Sequence, residues 1–147
     1  MTEAADPTDT TRIAFVCVQN AGRSQMSTAF AERERAERGL EDRVEILTGG
    51  THPADAVHDE VVAVMDERGI DLSDRTPRAV TTDELSSCDV VATMGCSTLD
   101  VSAVSDDVDV RDWALADPDG EDLDRVREIR DEIERRVGAL FDELSAE

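Results

Sequence analysis

Strand-like and helix-like hydrophobic patterns alternate along this chain. The run from Ile13 to Val18 is short, apolar and rich in β-branched residues, as expected of a strand buried on both faces. Ser24 to Arg38 has helical character and ends at Gly39, which fits a helix closed by a left-handed residue. Val44 to Leu47 predicts a second strand, His58 to Arg68 a second helix closed by Gly69, and Thr82-Asp83-Glu84-Leu85 a short capped helix. Val90 to Met94 reads as a third strand and Val108 to Arg111 as a weaker fourth. In the last segment Leu123, Val126, Ile129, Ile133, Val137, Leu140, Phe141 and Leu144 recur at helical spacing. They form one apolar stripe, which we assign to the core of a terminal helix.

This alternation predicts an α/β fold: a single-domain three-layer sandwich, with a four-stranded parallel sheet and helices on both faces. Ligands of such sheets bind beyond the carboxyl ends of the strands. At 147 residues the chain can bury about two thirds of its unfolded surface in one core. It contains no internal repeat, linker or low-complexity segment. The expected organisation is an acidic, disordered tail over residues 1–10 and one domain over 11–147. No stretch approaches the roughly 20 apolar residues of a membrane span, and the opening MTEAADPTDT lacks the basic and apolar parts of a signal peptide. A cytoplasmic location follows as the expectation. Three widely spaced cysteines fit a reducing compartment with one or two working thiols.

The formal net charge of −21 changes the picture of partners, since such a surface repels nucleic acid. All 15 basic residues are arginine. The acidic excess is spread over the whole chain, which favours a solvated surface over an interaction tail. We read it as adaptation to high salt, as in a halophilic archaeon. At 1 M salt the Debye length is only about 3 Å, so a local field can attract an anion to a protein of the same sign.

Chemistry concentrates where the first strand meets the first helix, in Cys17-Val18-Gln19-Asn20-Ala21-Gly22-Arg23-Ser24. The first amides of a helix lack intrahelical acceptors and carry partial positive charge, so they bind tetrahedral anions. Val18, Gln19, Asn20, Ala21, Gly22, Arg23 and Ser24 are therefore the oxyanion-binding candidates. Gly22 lets the loop curl closely around a ligand. Arg23 adds a planar, permanently charged fork able to hold two oxyanion atoms. The same field favours a thiolate, which makes Cys17 the candidate nucleophile. Ser24 can donate to its sulfur, and the Asn20 side chain can brace the loop from within. The spacing alone recurs by chance, and a buried strand-end cysteine before an ordinary turn is the plain alternative; its place between strand and helix gives it weight.

The segment Val16-Cys17-Val18-Gln19-Asn20-Ala21-Gly22-Arg23-Ser24-Gln25-Met26 resembles the phosphate-binding loop of the low-molecular-weight protein tyrosine phosphatase superfamily, specifically its arsenate reductase branch. Thr48-Gly49-Gly50 resembles the small-residue turn after the family's second strand. Met65 to Ser73, followed by Arg75-Thr76-Pro77, resembles its second helix and exit. Asp89 to Cys96 and Trp113 to Pro118 match two further blocks in the expected order, and the similarity runs from about Arg12 to Leu144. The resemblance implies an arsenate reductase in which Cys17 attacks arsenate, Arg23 steadies the oxyanion and Asp117 of Asp117-Pro118 is the general acid. Like charge from a bound anion and thiolate favours the protonated form of such a carboxyl group.

Cys96 matches the family's first resolving cysteine, whose thiol would attack the Cys17 sulfur and release arsenite. The further cysteine of thioredoxin-coupled members is missing from Ser97-Thr98-Leu99-Asp100-Val101. The resolving partner is then a small cellular thiol, or a thioredoxin- or glutaredoxin-like protein acting on a Cys17–Cys96 disulfide. Cys88 reads as a buried small residue, and a buried role remains the alternative for Cys96. A phosphatase would use Cys17, Arg23 and Asp117 through a phosphocysteine. Family phosphatases usually place a tyrosine after this Asp-Pro, whereas this chain has Asp119-Gly120 and no tyrosine. A noncatalytic anion or redox sensor is a third class, opposed by the intact Asp117. His52 and His58 show no metal-ligand spacing, and no dinucleotide fingerprint is present, so neither metal nor organic cofactor is expected.

Overall fold

A computed structural model describes residues 10–17, 19–50, 52–94, 108–113, 115 and 121–145. The expectations for Val18, Cys96, Asp117 and the N-terminal tail fall outside these described residues. The elements run β1 (Thr11–Cys17), α1 (Arg23–Glu37), β2 (Val44–Gly50), α2 (Asp59–Asp66), α3 (Thr82–Ser86), β3 (Val90–Thr93), β4 (Asp109–Asp112) and α4 (Leu123–Ser145).

The strands form one parallel sheet in the order β2-β1-β3-β4. Central β1 is buried without interruption from Ile13 to Cys17, because helices cover both of its faces. Its side chains alternate between two cores. Ile13, Phe15 and Cys17 face Met26 and Phe30 of α1, Val64 and Met65 of α2, and the stripe of α4. Ala14 and Val16 face the other way, packing with Val91, Leu85 of α3 and Cys88. The predicted sandwich is thus the observed one.

Along α4, Val126, Ile129, Ile133, Val137, Leu140 and Phe141 are buried, and Leu144 is partly so. Full burial of one such side chain contributes about 1.5–3 kcal/mol, more than a typical surface ion pair at about 0–1 kcal/mol, so the stripe dominates docking of this helix. Leu123 departs from the expected stripe: as the first residue of α4 it is 42% exposed.

Helix boundaries follow local chemistry. Gly39 and Gly69 both take positive φ, at 67° and 75°, and stop the helices before them. α2 ends at Asp66 rather than continuing to Arg68, because the Arg68 and Gly69 N–H groups turn to the carbonyls three residues back, Met65 and Asp66. Thr81 and Glu84 form a reciprocal capping box on α3. The expected turn at Thr48-Gly49-Gly50 is instead the end of β2, paired with Phe15, Val16 and Cys17. Gly49 serves a close approach: a Cβ there would lie 2.5 Å from the Val80 Cβ.

A belt of ion pairs joins the outer helices. Arg127 holds both Glu67 oxygens, at 2.8–3.1 Å, and Arg130 reaches Glu67 at 2.7 Å and the Val64 carbonyl at 2.9 Å. The belt continues through Arg68 with Asp131 and Glu134, and Arg33 with Glu134. Hydrogen bonds from Arg127 and then Arg130 lower the Glu67 pKa from 4.5 to about 2.

Candidate active site

The site lies where β1 ends at the middle of the sheet. Cys17 is its last residue and is buried, and α1 begins after a short loop, so the thiol faces the opening turn of a helix. The first α-helical bond joins the Met26 N–H to the Gly22 carbonyl, which leaves the amides of the preceding turn without intrahelical acceptors.

Loop carbonyls are tied to the surrounding protein. Gln19 O accepts from Ala54 N at 2.9 Å, Ala21 O from His58 N at 3.0 Å, and Asn20 O from Gln25 Nε2 at 3.0 Å. In a trans peptide the N–H points opposite to the C=O, so fastening these carbonyls outward turns the amides of Asn20, Ala21 and Gly22 away from the anchors. The Asn20 amide accordingly donates to Cys17 Sγ at 3.1 Å.

Asn20 is the keystone of this loop. It is fully buried and adopts φ 53°, the left-handed conformation that Asn tolerates better than most residues. Gly22, expected to supply the curl, instead has φ −140° and serves as the N-cap residue of α1. The Asn20 side chain uses its full hydrogen-bonding capacity. Nδ2 donates to Ser24 Oγ and Thr48 Oγ1, both at 2.8 Å; Oδ1 accepts from Gln25 Nε2 at 3.1 Å and from Arg78 N at 3.0 Å. Thr48 Oγ1 in turn donates to Phe15 O at 3.0 Å. Ser24 Oγ lies 2.8 Å from Cys17 Sγ. Because Asn20 already donates to Ser24, the serine proton is left to point at the sulfur, a hydrogen bond that strengthens when the sulfur is anionic.

Arg23 opens α1 and is half-buried. Its Nη1 donates to the carbonyls of Met94 and Leu115, the latter at 2.9 Å. It therefore spans the carboxyl ends of β3 and β4 beside the loop. Met94 and Leu115 each stand two residues before an expected site residue, Cys96 and Asp117.

The structure thus brings together Cys17, Asn20, Ser24 and the amides between them. Gln19 is exposed and contributes its main chain. Three participants escaped the sequence reading: Thr48, Gln25 and Arg78. Thr48 could have been found from its place at the carboxyl end of the strand beside β1. Gln25 and Arg78 carried no comparable signal. Cys88 is buried on the opposite face of the sheet, bonded to Glu84 O at 3.4 Å, and burial raises its pKa. His52 is exposed and His58 is the N-cap of α2. Among the described residues no group of three or more His, Cys, Asp or Glu side chains could hold a metal ion. Nor is any described helix long and apolar enough to cross a membrane.

A buried sulfur among inward-turned amides, a hydroxyl and the N-terminus of a helix can act as a nucleophile toward a tetrahedral oxyanion. Comparison with known proteins identifies the family. The family model for low molecular weight phosphotyrosine protein phosphatase matches residues 12–147. A Halobacterium salinarum protein provisionally called an arsenate reductase is 73% identical over 136 residues, covering 92% of this chain and 94% of its own. The glutaredoxin arsenate reductase of Synechocystis is 32% identical over 136 residues, covering 91% of this chain and 98% of its own. The solved thioredoxin-dependent arsenate reductase of Corynebacterium glutamicum is similar with a TM-score of 0.77 at 31% identity. That match covers 95% of this chain, which spans only 64% of the Corynebacterium chain.

Proposed function

Because this chain belongs to the low-molecular-weight phosphotyrosine protein phosphatase family, we propose that it is a cytoplasmic arsenate reductase driven by an external thiol. The observation that carries this reading is the Cys17 sulfur set 2.8 Å from Ser24 Oγ under the Asn20 amide. The 73% identity to the Halobacterium protein called an arsenate reductase supports arsenate as the substrate.

In this reading the loop amides and Arg23 hold the arsenate oxygens while the Cys17 thiolate attacks arsenic. A sulfur–arsenic bond forms, and an oxygen leaves as water with a proton from Asp117. A second thiol, from Cys96 or a small molecule, then attacks the Cys17 sulfur. The new disulfide forms as the sulfur–arsenic bond breaks, its electron pair passes to arsenic, and As(V) leaves as As(III) arsenite. Two thiols are thereby oxidised for each two-electron reduction. A low-molecular-weight thiol, or a thioredoxin- or glutaredoxin-like protein, restores the reduced enzyme.

The test is arsenite release by the purified protein in molar KCl with a small thiol, beside Cys17→Ser and Cys96→Ser. Arsenite dependent on both cysteines supports the full scheme; dependence on Cys17 alone assigns resolution to the small thiol. No arsenite above the Cys17→Ser background, with turnover of an aryl phosphate indifferent to Cys96→Ser, would replace this reading by a phosphatase that uses the same loop.

A further inference from the structure

Arg78 lies on the exposed segment before α3, more than fifty residues from the loop in sequence, yet it contacts Asn20, Thr48 and Gly50 beside the loop. Its main-chain N–H donates to Asn20 Oδ1 at 3.0 Å. Its carbonyl accepts from Gly50 N at 2.9 Å, one residue after Gly49 and beside Cys17 in the sheet register. Nη1 donates to Thr48 O at 2.7 Å and Nη2 to Glu84 Oε2 at 2.7 Å. The same segment forms a parallel bridge between Ala79 and Gly50 and presses Val80 against Gly49.

The N–H contact decides an orientation. An amide side chain can present oxygen or nitrogen to a hydroxyl, because a hydroxyl both donates and accepts. A peptide N–H can only donate. Arg78 N therefore requires the Asn20 oxygen on its side, as does Gln25 Nε2, and this sends Nδ2 to Ser24 and Thr48. Only with that orientation is the Ser24 proton left for Cys17. The Arg78 guanidinium, bridging Thr48 and Glu84, holds the N–H where this requirement is enforced.

We propose that Arg78 is a positioning residue for Cys17, acting through Asn20 and Ser24. Its charge is spent on Glu84 and Thr48, so it is not offered as an oxyanion ligand. As a half-exposed pair its bond to Glu84 adds little to global stability. Its influence belongs to the thiol.

The experiment compares the parent with Arg78→Gln, Arg78→Lys and Glu84→Gln. Three quantities are read: the rate of Cys17 alkylation by iodoacetamide at neutral pH, located by peptide mass; kcat and KM for arsenate; and Tm. Arg78→Gln is expected to alkylate roughly tenfold more slowly, the scale of one hydrogen bond lost from a charged network. Its kcat should fall in parallel, with KM within about twofold, and Arg78→Lys should recover part of both. A parental alkylation rate in Arg78→Gln, whatever happens to Tm, overturns the proposal. Should Arg78→Gln fail to fold, Glu84→Gln keeps the Thr48 contact and decides: a smaller slowing supports the proposal and an unchanged rate overturns it. The turnover measurement rests on the arsenate reductase reading, but alkylation does not. Slowed alkylation in a protein that reduces no arsenate would reject the reaction and keep the positioning role.

Discussion

Apart from Arg23, the polar side chains around Cys17 are neutral and mostly buried, whereas between α2 and α4 they are long, charged and mostly exposed. The Asn20 side chain meets its four partners one donor to one acceptor. The belt of Arg33, Arg68, Arg127 and Arg130 instead shares carboxylates among several guanidinium groups. Salt acts on these regions differently. Molar salt screens exposed charges over about 3 Å but leaves buried neutral hydrogen bonds intact. The site can therefore keep its geometry at salt concentrations that weaken the belt, and the local field at the helix start works inside a protein of net charge −21. Specificity of geometry and tolerance of the solvent are assigned to separate parts of one molecule.

The strongest way to break this contrast is Asn20→Ala. It removes the Ser24, Thr48, Gln25 and Arg78 side-chain contacts together and leaves the left-handed backbone unsupported. We expect kcat/KM for arsenate to fall by roughly 100-fold or more, the scale of a lost preorganised donor, in low and high KCl alike. Steady-state kinetics across a KCl series would check it; a loss repaired by salt would show that the loop depends on screened charges after all.

Arg130→Met should come next, and in stability rather than activity. Arg130 is 5% exposed and holds the buried Val64 carbonyl, so its loss strands an acceptor at a cost of about 1–3 kcal/mol. Denaturant unfolding would measure this. A neutral outcome would mean that the methionine packs well enough to offset the stranded carbonyl.

The belt has a pH signature. The Glu67 pKa is lowered on folding, so the stability it contributes is fully present above its ordinary value of 4.5. That contribution is lost as pH falls toward about 2. Glu67→Gln should flatten the acid limb of a stability-versus-pH curve in this window and leave the slope above it unchanged. An identical slope in both proteins would remove Glu67 from the linkage.

The smallest effect is predicted for Arg127→Gln in molar KCl. Arg127 is 37% exposed, so thermal unfolding should change little there and the effect should grow as salt is lowered. Equal effects at both salt levels would argue that this pair is shielded from solvent.

Much of this architecture is legible in the chain because the signals are local. The period of the α4 stripe, the glycines after α1 and α2, and a cysteine between strand and helix report backbone preferences within a few residues. The misread elements are those fixed by distant contacts. Thr48-Gly49-Gly50 looks like a turn until Val80 is known to press on it. Leu123 belongs to the stripe by spacing but is exposed at the start of α4. Gly22 was the expected flexible residue, yet Asn20 takes the left-handed position because four partners stabilise it there.

By itself, then, the sequence determined the order of strands and helices, the parallel sheet and the place of Cys17 between strand and helix, since helix and strand periods, caps and turn glycines are short-range physics. Only the tertiary structure decided how the Cys17 sulfur is addressed. The groups that orient Asn20 come from Gln25, Thr48 and Arg78, which meet only after β2 and the segment before α3 have docked beside β1. Hydrogen bonds act over about 3 Å and depend on direction, so residues far apart in sequence leave no periodic trace of them before the chain has folded.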